Sequence, residues 1–229
     1  MMNGLGDAAE IERLRAGLAA ELGVRVLFDG ADLSRPGACA ALVAEAEERL
    51  GAVDILVNNA GIQHAAPIEE FPADRWDAIL AVNLSAAFHT TRRALPGMKR
   101  RGWGRVINIA SVHGLVASPN KAAYCAAKHG LIGLTRVVAL ETARTGITCN
   151  AICPGWVLTP LVRQQTEARA RSEGISVGEA EQQFLIEKQP SVRFTGVEEI
   201  GALAVFLCGD GAGNLTGASL PVDGGWTAQ

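Results

Sequence analysis

The chain has 229 residues, 48% hydrophobic and 20% charged, a balance that suits one folded domain and excludes a disordered chain. A net charge of −3 offers no basic surface to a nucleic-acid backbone or an anionic membrane, and no apolar run reaches the roughly 20 residues of a membrane span. The opening MMNGLGDAAE has no secretory pattern, and five scattered cysteines read as reduced thiols, so a cytoplasmic protein without a metal site is expected.

In chain order, residues 7–22 read as an amphipathic helix, 24–28 (VRVLF) as a strand and 36–50 as a second helix. Residues 53–58 (VDILVN) read as a strand, 72–101 as a long helix and 104–111 (GRVINIAS) as a strand. Ser118-Pro119 is expected to start a helix running to 144, a hydroxyl cap followed by proline at the first helical position. The strand 146–153 (GITCNAIC), the helix 197–208 and the strand 218–223 complete the alternation. Short strands apolar along their whole length, separated by helices, predict a parallel sheet covered on both faces. The fold class is therefore α/β, a doubly wound (Rossmann-type) parallel sheet in a single domain, 1–229. The segment 155–195 is polar, helical and strandless, which suits a substrate lid and equally a solvated insertion. The glycine cluster CGDGAGNLTG (208–217) follows a helix and precedes a strand, so it is read as a loop.

Several strand and helix ends aim polar groups at one region. Tyr124, the single tyrosine, precedes Lys128 by one helical turn, so their Cβ atoms stand roughly 5–6 Å apart on one face. An ammonium there is expected to pull the phenol below its ordinary value of about 10 and make a general acid/base. By itself the pair also fits a packed tyrosine beside a solvated lysine. Ser111 ends the strand 104–111, NNAG (58–61) ends another, Asn83 sits inside an apolar helix, and Pro154-Gly155 closes a third strand.

These residues resemble the short-chain dehydrogenase/reductase family. NNAG (58–61), Asn83, Ser111, YCAAK (124–128), PG (154–155) and VDGG (222–225) stand in that family's order across the whole chain. The resemblance implies that Tyr124 exchanges the proton of the substrate oxygen and Ser111 hydrogen-bonds that oxygen. It further implies that Lys128 lowers the tyrosine and holds a nicotinamide ribose, and that Asn83 organises a relaying water. Tyr124 and Lys128 then also touch the cofactor, with Asp32 and Leu33 at adenine, Asn59, Ala60 and Gly61 at the adenosine ribose, and Pro154, Gly155, Val157 and Thr159 at nicotinamide. NNAGIQH, INIASVHGLVAS, NAICPGWV and PVDGGWT resemble family members that interconvert D-3-hydroxybutyrate and acetoacetate. That implies Gln63, His113, Lys121 and Gln165 around a carboxylate, beside Ser111 and Tyr124, with Trp156 and Trp226 shaping the methyl end. Lys121 and His113 are cations or donors by chemistry as well. A homotetramer built on 72–101 and 119–144 is implied too.

The family's glycine-rich turn after a first strand is missing from the sequence, which makes the fold N-terminally truncated relative to the family. The family places that strand in mid-sheet, so two facing edges are expected without partners. Either the given start is internal to a longer product, or the chain is a shortened member; the intact downstream positions favour the first. Weak NAD binding and marginal stability are expected. No Lys or Arg stands at NGLGD for a 2′-phosphate, which favours NAD over NADP. The alternatives are a 3-oxoacyl thioester reductase and a non-catalytic subunit. A serine hydrolase is excluded because no G-x-S-x-G surrounds Ser111.

Overall fold

A computed structural model describes residues 1–229, except the side chain of Leu161. Six strands form two parallel sheets. β1 (Met2–Asn3) pairs with β2 (Phe28–Asp29), and β3 (Ile55–Asn58), β4 (Gly104–Ile109), β5 (Ile147–Pro154) and β6 (Ser219–Val222) follow one another in a four-stranded sheet. The register aligns Asn58 with Asn108 and Ile109 with Ile152, which brings the carboxyl ends of β3, β4 and β5 to one edge.

β4 and β5 are the rigid centre, and side-chain alternation explains the layers. Val106 and Cys149 face α2 (Pro36–Leu50), α4 (Ala86–Arg101) and α5 (Ala122–Thr142), where they pack with Val43, Met98 and Val138. Ile107 and Ile152 face the other way, against Leu207 of α8 (Val197–Cys208). Ile107 and Leu207 are each 1% exposed, and burying such a side chain contributes roughly 1.5–3 kcal/mol.

The β1–β2 side is less well held. α1 (Ala8–Leu22) is capped by Asp7, whose carboxylate accepts the Glu10 N–H at 2.9 Å, yet the helix buries no residue. Ile55 and Val57 on β3 are 47% and 48% exposed, contrary to the expectation of a strand buried on both faces. The reason is a slot of about 730 Å³ lined by Met1 and Asn3 on one side, Ile55 and Val57 on the other, and Val43 and Leu131 at its floor. This is the pair of facing, unpartnered edges expected from the sequence. The strand expected over 24–28 shrinks to Phe28–Asp29 for a related reason: its ladder partner β1 is only two residues long, so Val24 and Val26 have no strand opposite them.

Two helix boundaries also differ from expectation. The helix over 72–101 is α3 (Ala73–Leu80) and α4 joined by a π turn, Ala81–Ser85, which carries Asn83. α5 starts at Ala122 rather than after Ser118-Pro119, because Asn120 adopts φ +64° and breaks helical geometry ahead of the Lys121 cap. Between β5 and α8, α6 (Pro160–Glu173) and α7 (Val177–Lys188) form the polar helical segment read from the sequence. No helix is long and apolar enough to cross a membrane, among the described residues.

Candidate active site

The catalytic candidates meet at the carboxyl edge of β3–β5. Ser111 follows β4 in extended conformation, and its hydroxyl accepts the His113 N–H at 3.2 Å. The following turn presses tightly on α5: a Cβ on Gly114 would stand 2.8 Å from the Lys128 carbonyl, so the close approach needs glycine. That approach sets the Ser111 hydroxyl beside the Tyr124 phenol, near enough to favour the phenolate. Lys128, 3% exposed, donates from Nζ to the Ile109 carbonyl at 2.7 Å and stands 5.6 Å from the Tyr124 ring centre.

The electrostatics differ from the sequence reading. Burial pushes the Tyr124 phenol above its ordinary value, with the Ser111 hydroxyl working in the opposite direction. Burial also brings Lys128 down to about 8. The expected phenol lowered by its lysine is therefore corrected: desolvation of both groups outweighs their attraction in this site. The pair stays the only tyrosine–ammonium arrangement of the chain, and its function depends on what the filled site adds.

Asn83 is 2% exposed, and its amide closes a ring with one peptide. Oδ1 accepts the Ile62 N–H at 2.8 Å and Nδ2 donates to the Ile62 carbonyl at 2.9 Å. The π turn, a feature often found at functional sites, is what swings this side chain toward the NNAG loop. A Cβ on Gly61 would lie 3.8 Å from both Asn83 Oδ1 and Lys128 Nζ, which puts the loop against the catalytic cluster. Asn83 retains one lone pair and one N–H for a water.

Two cavities meet here, sharing Val57, Asn59 and Gly61. The first is the slot, which also carries Asp32, Leu33, Ala60 and Asn83. The second, about 720 Å³, is lined by Gln63, Ser111, His113, Tyr124, Lys128, Trp156, Gln165 and Trp226, with Pro154, Gly155, Val157 and Thr159 along one side. Every expected cofactor and substrate position except Lys121 therefore lines one of two adjoining cavities.

Lys121 stands behind the wall. Its ammonium lies 4.8 Å over the Trp156 ring, it has no ion-pair partner among the described residues, and burial lowers it to about 8. His113 is 4% exposed, with Nδ1 3.4 Å from the Ser111 hydroxyl and Nε2 3.0 Å from that of Ser118. Burial, then the charges of Lys121, Lys188 and His129, lower it to about 3. His113 is thus neutral, a hydrogen-bonding spacer between two serines, and a role at a carboxylate would be that of an uncharged donor. Its ring packs on Tyr124 at 5.9 Å and on Trp226 at 5.4 Å between centroids.

Three supporting groups escaped the sequence reading. Asn58 does not await a ligand: Nδ2 donates to Asn108 Oδ1 at 2.8 Å and Oδ1 accepts from Thr90 at 2.7 Å, while Asn108 donates to Thr135 at 2.8 Å. This buried chain joins β3, β4, α4 and α5 beneath the site. Asp223 accepts the Gly225 and Thr227 N–H groups at 3.0 and 2.8 Å, turning the chain so that Trp226 faces the cavity. Gln189, with no motif to mark it, accepts the Trp156 N–H at 2.9 Å.

A nicotinamide dinucleotide fits the residues at both ends. Asn59 and Gly61 expose polar backbone, Lys128 keeps free N–H donors, and Thr159 and Val157 follow β5. The middle is different: the turn Gly4-Leu5-Gly6 that leads from β1 into α1 borders the slot but lacks the Gly-x-x-x-Gly-x-Gly spacing expected of a pyrophosphate cradle.

The comparisons with known proteins agree with this geometry. The family described as enoyl-(acyl carrier protein) reductase matches residues 4–227. A D-beta-hydroxybutyrate dehydrogenase of Cupriavidus necator is 57% identical over 100% of this chain and 88% of its own length. One of Rhizobium meliloti is 50% identical over 100% of this chain and 89% of its own. The crystal structure of an actinorhodin polyketide ketoreductase variant with NADPH superposes with a TM-score of 0.91 at 35% identity, covering 99% of this chain and 87% of that one. With its motifs gathered at one sheet edge and these relatives spanning it end to end, the chain belongs to the short-chain dehydrogenase/reductase family.

Proposed function

We propose that the chain interconverts D-3-hydroxybutyrate and acetoacetate with NAD as partner. The observation that carries this reading is the convergence of Ser111, Tyr124 and Lys128 on one cavity, with Lys128 5.6 Å from the tyrosine ring centre and the Lys121 ammonium, without an ion pair among the described residues, behind Trp156. Bound nicotinamide supplies the acceptor of the hydride. The chain's own residues handle the proton and the geometry. Tyr124 Oη takes the hydroxyl proton, Ser111 holds the same oxygen, and Lys128 favours the phenolate. A water on the spare donor and acceptor of Asn83 passes the proton onward.

The acid group is held by donors from Gln63 and Gln165, and Lys121, behind the Trp156 ring, adds the attraction of its charge. Trp156 and Trp226 enclose the methyl end, and His113 keeps Ser111 oriented. NAD is favoured because no Lys, Arg or His side chain lines the slot beside Asp32, where a 2′-phosphate would need one. Five free cysteines suit the reducing cytoplasm. Phe88 on α4 and Val137 and Leu140 on α5 are 45%, 51% and 80% exposed, apolar surface consistent with a homotetramer on these helices.

The test compares oxidation of D-3-hydroxybutyrate and its methyl ester by the purified chain, with NAD and with NADP. The acid and NAD should each be preferred by roughly tenfold or more in kcat/KM, the worth of one charge-assisted contact. Equal rates on the ester would favour a thioester reductase, and no turnover with either substrate a non-catalytic subunit.

A further inference from the structure

Gln189 is 1% exposed at the end of α7, and its side chain serves the opposite wall of the cavity. Oε1 accepts the Trp156 N–H at 2.9 Å, and Nε2 donates to the Arg193 carbonyl. Its own backbone N–H donates to the Leu185 carbonyl at 2.7 Å, closing the last turn of α7. The approach needs glycine at 155, where a Cβ would stand 2.5 Å from Gln189 Oε1 and 2.9 Å from the Asp223 Cα. The exit of β5, the α7–α8 connection and the turn before Trp226 therefore converge on one amide.

Trp156 needs such a hold. Its Nε1 is buried without a hydrogen-bond partner in the chain, so no polar tether of its own orients the ring. The ring rests on Phe184 at 5.0 Å and Trp226 at 5.5 Å, and it carries the Lys121 ammonium at 4.8 Å. The Trp156 backbone is held on both sides, its N–H by Gln189 Oε1 and its carbonyl by the Thr195 N–H at 2.8 Å, and of the two only the first is a side chain that substitution can remove.

We propose that Gln189 is a positioning residue for substrate recognition, setting Trp156 and through it the Lys121 ammonium at the acid end of the cavity. The inference rests on the free-acid reading above. A staple that merely holds a loop would lower stability and slow all substrates alike. A positioning residue changes the recognition of the acid selectively.

The test uses Gln189→Met, which keeps the length and removes both polar atoms, and Gln189→Glu, which keeps an acceptor for the Trp156 N–H. The chain is labelled with 5-fluorotryptophan, and Trp156→Phe assigns the fluorine NMR resonance of that ring among Trp76, Trp103, Trp156 and Trp226. In Gln189→Met the Trp156 resonance should move or broaden while Trp103 holds. KM for D-3-hydroxybutyrate should rise roughly tenfold, with kcat within about threefold and the methyl ester unaffected. Gln189→Glu should stay near the wild type on each readout, and it carries the test if Gln189→Met does not fold. An unmoved Trp156 resonance in Gln189→Met, equal losses on acid and ester, or a Trp156 resonance displaced in Gln189→Glu would each overturn the proposal. If the wild type itself fails to prefer the acid, the functional reading falls, and the fluorine spectra alone decide whether Gln189 sets Trp156.

Discussion

Acid should destabilise this protein through one histidine. In the unfolded chain His113 takes up a proton near its ordinary value of 6.5, whereas in the fold it does so only near 3. Between those values the unfolded chain holds the extra proton, so stability is fully present above pH 6.5 and is lost as pH falls toward 3. Each unit removes about 1.4 kcal/mol, so pH 4.5 costs about 3 kcal/mol and the whole window about 5 kcal/mol. That is a third or more of the 5–15 kcal/mol of a typical domain. His113→Gln keeps an amide that can hydrogen-bond Ser118 but cannot be protonated; the other three histidines are common to both proteins and cancel. Urea unfolding followed by circular dichroism from pH 7.5 to 4.5 measures the difference. The wild type should lose about 3 kcal/mol more than the variant across that range. Parallel stability curves would refute the neutral, buried histidine and return His113 to the role of a cation.

Tyr124→Phe should reduce kcat for D-3-hydroxybutyrate roughly 100- to 10,000-fold while leaving the fold intact, as initial rates and thermal melting would show. Lys121→Met should raise KM for the acid by about tenfold or more with little change for the methyl ester, the loss of a charge-assisted contact. Asn108→Leu removes the bonds to Asn58 and Thr135 and strands their partners, so urea unfolding should find it about 2–4 kcal/mol less stable.

Much of the framework was legible because it rests on local chemistry. The helix over 36–50 begins at Pro36 and ends before Gly51, as proline and glycine dictate, and β5 is buried along its whole length and mostly apolar because helices cover both its faces. The motif residues converge because parallel strands present all their carboxyl ends on one edge. What stayed hidden depended on partners distant in sequence. Ser118-Pro119 looked like a helix start, yet the Ser118 hydroxyl is engaged by His113, and Asn120 turns left-handed before the helix begins. The charge state of His113 and the phenol of Tyr124 are set by burial, which no spacing reports. Asn58 was legible only as part of NNAG, without a partner of its own, because that partner, Asn108, is fifty residues away.

The site is built from halves held with unequal strength. Ser111, Tyr124 and Lys128 stand on β4 and α5, within the core of Val106, Ile107, Leu131 and Ile152, each at most 1% exposed. Asp32 and Leu33, at the end of the slot proposed to take adenine, follow a two-residue strand whose neighbour is another two-residue strand, flanked by a helix that buries nothing. Few buried contacts mean a low cost of local opening. Amide hydrogen exchange should therefore find α1 and β2 open to water far sooner than β4 and β5, with opening energies lower by several kcal/mol, on the order of the burial of two side chains. Cofactor affinity inherits this asymmetry, since binding must first order the weaker half, whose turn at Gly4–Gly6 lacks the Gly-x-x-x-Gly-x-Gly spacing of a pyrophosphate cradle. Calorimetric titration should return an NAD affinity in the millimolar range, roughly −4 kcal/mol, with the catalytic groups already in place. Micromolar affinity together with strong exchange protection of β1 and β2 would show that the slot closes on the cofactor, and the division into a firm and a loose half would be wrong.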